Sequence, residues 1–410
     1  MIKPSRTLAD VADLQLGKML DQKKNKGVLM PYLANVNVRW GDFNLDDLRE
    51  MRFEHGEIEK YGVRQGDIIM CEGGEPGRCA IWIGPDDTMM IQKALHRIRA
   101  REGVDGRYLY YFLRHEGERG ALAPLFTGST IKHLPKRNLA RVKVSTPSLD
   151  EQREVASVLS AYDDLTETNR QRIARLEEAA RLLYREWFVW LRFPGHDALA
   201  AEDGVPEGWE TKPLLKVAKV KRGKSYRSAN LVDAGGSPFI NLKCIEREGG
   251  FRDDGVKRFE GEFDERHTVR AGDIVMAVTD MTRDRAIVGR SALVPATVTG
   301  DAVFSMDLVR LDPSENVNPN WFYMTTRHSL LPHEVKEFAT GTNVLHLKPK
   351  HISDYTLTVP PRSIQDAFAD IVGPMTEQQA NLQHQNARLA EARDILLPRL
   401  MSGEVTLTAP

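Results

Sequence analysis

One stretch occurs twice in this chain and limits the folds open to it. Thr127 to Leu183 aligns without a gap with Thr340 to Leu396, at an offset of 340 − 127 = 213 residues. Thr127-Gly128-Ser129 matches Thr340-Gly341-Thr342, His133-Leu134 matches His346-Leu347, and Gln152 matches Gln365. Ala174-Arg175-Leu176 matches Ala387-Arg388-Leu389 deeper in. So long a repeat in one register implies two structural units of one kind, each ending in a long helix.

A chain of 410 residues is too long for one compact core, which agrees with two units. No apolar run is long enough for a membrane span. Met1-Ile2-Lys3-Pro4 lacks a secretory pattern, so a cytoplasmic location is expected. Cys71, Cys79 and Cys244 form neither a CxxC pair nor an even disulfide set, and no further Cys or His stands near them at ligand spacing. No metal site is expected. The formal net charge is −1, and the two helical segments are acidic on balance. Any basic surface must therefore lie in the two larger units. Thr211 to Val232 carries seven basic residues and no acidic one. Such a run is either a solvated face or a phosphate-binding one.

Both units open alike. Leu8 to Lys18 parallels Leu214 to Lys224 at an offset of 206, and each reads as a short helix, a glycine turn and a strand. Val63 to Met70 matches Val269 to Met276, a Gly-Asp turn before a buried strand. A helix follows, with Tyr108 and Trp321 in step, and then the Thr-Gly-Ser/Thr stretch. Small hydroxyl residues beside glycine leave backbone amides open to phosphate; an ordinary turn is the plainer reading.

Ser148 and Glu151 form a capping-box pattern at the start of the first long helix. Ile173, Leu176, Ala180, Leu183, Trp187 and Trp190 repeat as a coiled-coil seam. Leu382, Leu389 and Leu396 stand at heptad spacing in the second, with Asn386 in the seam and Pro398 as the expected stop. If the units are related by an approximate twofold axis, these helices pack antiparallel.

Catalytic patterns are missing. Gly223-Lys224-Ser225 is similar to the end of a phosphate-binding loop, but its first glycine is replaced by Ala218. Asn318-Pro319-Asn320-Trp321 lacks the second proline of an amino-methyltransferase box and aligns with Asp105-Gly106-Arg107-Tyr108, so it reads as scaffold.

Taken together, these residues resemble the DNA-specificity subunits of type I restriction–modification systems, over essentially the whole chain. The most specific parts are the hydroxyl-glycine stretch, the Pro147-Ser148-Leu149-Asp150-Glu151-Gln152 junction and its counterpart Pro360 to Gln365, and Pro206-Glu207-Gly208-Trp209 at the opening of the second unit. Ser363-Ile364-Gln365 departs from the usual Leu-x-Glu-Gln. The resemblance implies an α+β chain. Two pseudo-twofold-related α/β target-recognition domains are joined by two long helices packed as an antiparallel coiled coil. Its expected parts are a first recognition domain at 1–147, a helical spacer at 148–192, a linker at 193–210, a second recognition domain at 211–361 and a C-terminal spacer at 362–402. It further implies a non-catalytic subunit that reads an asymmetric bipartite site in double-stranded DNA for antiphage defence. Expected partners are two methyltransferase subunits and the restriction/translocase subunits. S-adenosylmethionine and ATP with Mg are expected in those partners, and none in this chain.

In this setting Lys18, Lys23, Lys24, Lys26, Lys221, Arg222, Lys224, Tyr226 and Arg227 are DNA-contact candidates. So are Thr127, Gly128, Ser129, Thr130 and His133, with Thr340, Gly341, Thr342, Asn343 and His346. Ile173, Leu176, Leu183, Leu382, Leu389 and Leu396 are expected in the spacer seam. A helix from Thr166 to Trp187 has 187 − 166 + 1 = 22 residues. At about 1.5 Å per residue it spans about 33 Å, near the roughly 34–36 Å of one duplex turn, so it suits a ruler between half-sites. Rival readings are a protein-interaction scaffold, a stand-alone enzyme, and a specificity subunit serving a methylase alone.

Overall fold

The computed structural model describes residues 5–21, 25–45, 48–195, 201–202, 205–282 and 284–407. The chain divides into two compact units, Met1–Glu167 with Arg388–Pro410, and Thr168–Ala387. The two long helices are thus shared out between the units.

In the first unit, β1 (Ala12–Leu16), β2 (Ile68–Cys71), β3 (Cys79–Ile81) and β4 (Leu95–Ala100) form an antiparallel sheet in the order β1-β4-β2-β3. Every residue of β2 is buried. Alternation assigns its two faces. Ile68 and Met70 pack with Tyr108, Leu109 and Leu113 of helix α1 (Gly106–Glu118). Ile69 and Cys71 pack with Leu33 and Ile91 of a smaller three-stranded sheet. Ser5–Thr7 pairs with Lys143–Ser145, which ties the start of the unit to the foot of its long helix.

The second unit repeats this plan. Strands β5 (Ala218–Arg222), β6 (Ile274–Ala277), β7 (Ser291–Leu293) and β8 (Leu308–Pro313) take the order β5-β8-β6-β7. Ile274 and Met276 share a core with Trp321 and Phe322, while Val275 and Ala277 face Ile240 and Phe304. Helix α3 (Pro319–His328) begins at Asn318, whose side chain accepts from the amide of Asn320 at 3.0 Å, with Pro319 in the first turn. The Asn-Pro-Asn-Trp stretch is therefore a helix start.

The short helix at each opening runs straight into its strand, without the expected glycine turn. Gly17 and Gly223 come after the strand instead. A Cβ on Gly17 would lie 2.3 Å from the Gln92 carbonyl oxygen, and one on Gly223 2.1 Å from that of Ser305. Close backbone passage, not a turn, demands these glycines.

Helix α2 spans Leu149–Tyr184 and α4 spans Arg362–Ser402. The Glu151 amide donates to Ser148 Oγ at 3.3 Å, as the capping pattern predicts. Each foot carries a buried glutamine clamp. Gln152 Nε2 donates to the Pro147 carbonyl at 2.9 Å and its Oε1 accepts from the Asp105 amide at 3.0 Å. Gln365 does the same with Pro360 and the Asn318 amide, at 2.8 and 2.9 Å. This accounts for the glutamine shared by the two junctions where the neighbouring residues differ.

Two seam expectations are corrected. Pro398 does not end α4, which continues to Ser402 and stops at Gly403 with φ +77°. A proline forfeits one helical hydrogen bond, but Leu397, Leu400 and Met401 are buried in the first unit's core and hold the last turn. Trp190 lies outside the seam. The helix passes into a π turn at Arg185–Val189, and Trp190 is 43% exposed between the guanidinium groups of Arg185 and Arg192. Of the remaining seam residues, Ala180, Trp187 and Leu382 are buried, and Ile173, Leu176, Leu183, Leu389 and Leu396 are half-buried.

Within each unit, the segments of α2 and α4 run antiparallel. In the first, Leu159 shares the core with Leu397, and farther along Asp163 accepts from Arg393 at 2.5 Å. In the second, Asn169 bonds to Asn386, and farther along Tyr184 and Trp187 pack on Phe368. A buried arginine at equivalent places in α1 and α3 braces the helix passing over it. Arg114 bonds to Glu118 at 2.8 Å and lies 3.6 Å from Asp394; Arg327 pairs with Glu177. No described helix is long and apolar enough to cross a membrane.

Candidate nucleic-acid interface

The Thr-Gly stretch is a closed hairpin in both units. The amide of Thr127 donates to the His133 carbonyl at 2.8 Å, and the His133 amide returns a bond to Thr127 at 2.8 Å. Thr340 and His346 exchange the same two bonds, at 3.1 and 2.8 Å. The glycine makes this loop possible. Gly128 has φ +92° and Gly341 φ +149°. A Cβ would lie 2.2 Å from the Ile131 carbonyl oxygen at Gly128, and 1.9 Å from that of Val344 at Gly341. Only a residue without a side chain fits.

Each hairpin docks on the segment that leaves the buried central strand. The Leu134 amide donates to the Glu72 carbonyl at 2.7 Å, and the Leu347 amide to the Val278 carbonyl at 2.8 Å. His133 bridges to Gly73, and His346 pairs with Thr279. The backbone is thus the same twice over. The side chains are not. His133 Nδ1 lies 3.0 Å from Glu72 Oε2, whereas His346 Nδ1 meets Thr279 Oγ1 at 3.4 Å.

The loop that follows also differs. In the second unit Asp280, fully buried, accepts from the Thr282 amide and hydroxyl, both at 2.6 Å, and from the amides of Ile287 and Val288 at 2.7 and 2.8 Å. Burial pushes its pKa up, but these bonds outweigh burial and hold the carboxyl below the usual range. The first unit has Gly74 here, with φ +83° and packed on Asn35.

The hairpin residues are available to a ligand. Thr127, Gly128, Ser129 and Thr130 are exposed, as are Thr340, Gly341, Thr342, Asn343 and His346, while His133 is half-buried. The basic candidates divide. Lys18 is buried, its ammonium 2.6 Å from Glu57 and 2.8 Å from the Arg52 carbonyl, over the Phe53 ring. Its charge is neutralised inside the first unit. Lys221 pairs with Asp312 at 2.6 Å and lines a cavity of about 710 Å³ with Arg266, Arg270 and Arg310. Arg222, Arg227 and Lys26 are exposed and Lys224 half-buried. Tyr226 packs edge-on against Phe239, with ring centroids 4.7 Å apart, and burial raises its pKa. Lys23 and Lys24 lie outside the described residues. Among the described residues, no hydrogen bond or ion pair joins the basic run to the hairpin.

Sequence reasoning missed Glu72, Thr279 and Asp280 as members of the site. A signal existed: Glu72–Pro76 and Val278–Thr282 are where the copies diverge beside well-matched flanks.

The model of the type I restriction modification DNA specificity domain matches residues 4–178 and again 206–391. The MjaIX specificity subunit of a type I restriction enzyme from Methanocaldococcus jannaschii is 26% identical over 354 residues, 83% of this chain and 78% of that protein. The HindI specificity subunit from Haemophilus influenzae is 20% identical over 97% of this chain and 100% of its own length. The crystal structure of a type I restriction-modification S subunit from M. genitalium shares the fold, with a TM-score of 0.57 at 16% identity, over 99% of this chain and 96% of that one. With both copies matched across most of its length, the chain belongs to the type I restriction modification DNA specificity family.

Proposed function

We propose that this chain is the DNA-reading subunit of a type I restriction–modification complex. Each unit reads one half of a bipartite site in double-stranded DNA. The observation that carries this is the doubled hairpin, fixed in backbone and set against loops that differ between the copies. A constant frame with variable neighbours is what two readers of different sequences need, because base-edge contacts depend on which side chains reach the groove. The half-sites then differ and the target is asymmetric.

On this reading the exposed amides and hydroxyls of the hairpins, with Arg222, Lys224 and Arg227, meet phosphates. The long helices set the gap between half-sites and dock two methyltransferase subunits. The chain itself catalyses nothing. S-adenosylmethionine belongs to those partners, and ATP with Mg to the restriction subunits. Replacing residues 7–147 by their counterparts, residues 213–360, tests the reading. The assembled complex should then methylate a site holding the second half-site twice. Retention of the original target contradicts it.

A further inference from the structure

Asn169 Nδ2 donates to Asn386 Oδ1 at 3.0 Å, and Asn169 is 1% exposed. The repeat gives this pair a meaning that neither helix has alone. The counterpart of Asn386 in α2 is residue 386 − 213 = 173, which is Ile173. The counterpart of Asn169 in α4 is residue 169 + 213 = 382, which is Leu382. In the antiparallel register, four residues up α2 and four down α4 from the asparagines bring Ile173 level with Leu382. One seam layer is amide on amide, and the next is apolar on apolar.

Because α2 and α4 are copies, each could also pair with a second copy of itself. An antiparallel α2–α2 pair in the same register sets Asn169 against Ile173, twice. An α4–α4 pair sets Asn386 against Leu382, twice. Two correctly paired chains hold two amide layers and two apolar layers. Two mispaired chains hold four mixed layers, each with an amide facing a hydrocarbon. Burying an amide without its partner leaves its hydrogen bonds unmade, which is why one seam asparagine can dictate pairing.

We propose that the Asn169–Asn386 pair selects the partner helix, admitting α2 with α4 and excluding either helix with a second copy of itself. Its consequence rests on the two-half reading of DNA. Like-with-like pairing would assemble two identical readers, which would suit a symmetric target. The heterotypic amide layer keeps one reader of each kind together.

The test moves one asparagine. In full-length Ile173→Asn/Asn386→Leu, like-with-like pairing gains matched layers and native pairing becomes mixed. Wild type and variant are unfolded in denaturant, refolded at equal concentration and weighed by light scattering. The variant should show at least about tenfold more dimer, since one orphaned amide is worth about that factor. Equal dimer fractions overturn the proposal. Exchange of α2 and α4 between chains keeps the asparagine pair, so only the difference between proteins counts. Should that variant fail to refold, Asn169→Leu/Asn386→Leu decides. It should melt higher than wild type and form more dimer, and an unchanged dimer fraction overturns the proposal. Mass is read without DNA, so failure here is separate from failure of the DNA-reading assignment.

Discussion

His133 and Glu72 meet at 3.0 Å where the closed hairpin docks on the end of a buried strand. The same backbone bond recurs in the second unit, with Thr279 in place of the glycine that follows Glu72. One frame therefore carries two chemistries. A carboxylate beside histidine presents acceptors and charge; a hydroxyl beside histidine is neutral and both donates and accepts. Changing Glu72 to Ala should relax base preference in one half-site and leave the other intact. Mapping methylated sites made by the assembled complex checks this, and an equal effect on both halves contradicts it.

The hairpin glycines make a second prediction. Gly128→Ala and Gly341→Ala each force a side chain into a positive-φ position, costing about 1–2 kcal/mol from the backbone alone. The carbonyl clash comes on top. Each variant should stay folded, since the hairpin tips, Thr127–Thr130 and Thr340–Asn343, are exposed. Each should lose recognition of its own half-site. Circular dichroism with a binding assay on half-site variants separates the two effects.

Asp280 gathers a loop with four bonds. Asp280→Ala orphans the amides of Ile287 and Val288, at about 1–3 kcal/mol for each buried donor. Its carboxyl is held low in the folded state, so its contribution is full above the unfolded value near pH 4 and is lost as pH falls below it. The melting temperature should drop, and the second half-site should be read less well than the first.

The basic run predicts a salt signature. Replacing Arg222, Lys224 and Arg227 together with alanine should flatten the slope of log affinity against log salt by about 0.9 for each phosphate left without its cation. An unchanged slope removes them from the interface.

His328 gives a pH dependence. Burial, then the charges of Arg327 and Arg181, lower its pKa to about 3. The folded state refuses a proton that the unfolded chain accepts near pH 6.5. Stability is therefore full above about pH 6.5 and falls toward pH 3, by up to about 1.4 kcal/mol per unit. His328→Phe should reduce that slope in thermal melts; an unaltered slope contradicts the assignment.

Much of this was legible in the sequence, because the repeat doubles every observation. The strand runs, the hairpins and the helix feet align residue by residue, and the structure gives each the same role twice. What the alignment hid was pairing across distance. Lys18 reads as one cation in a basic opening, yet Glu57 from a separate helix neutralises it. Glu72 and Asp280 sit where the copies diverge, which marks the stretch but not which of its side chains meets the hairpin or gathers the loop. Pro398 reads as a stop because local propensity favours one, but burial of Leu397 and Leu400 overrides it. The Asn386 partner was invisible for the same reason, since it is displaced by four residues from its repeat equivalent.

The central claim is that this chain reads a split, asymmetric DNA site. The most direct measurement is a methylated-base map of DNA from cells expressing the chain with its methyltransferase subunits. The account predicts N6-methyladenine in two different short blocks separated by a fixed gap. A continuous motif, or two identical half-sites, would contradict it.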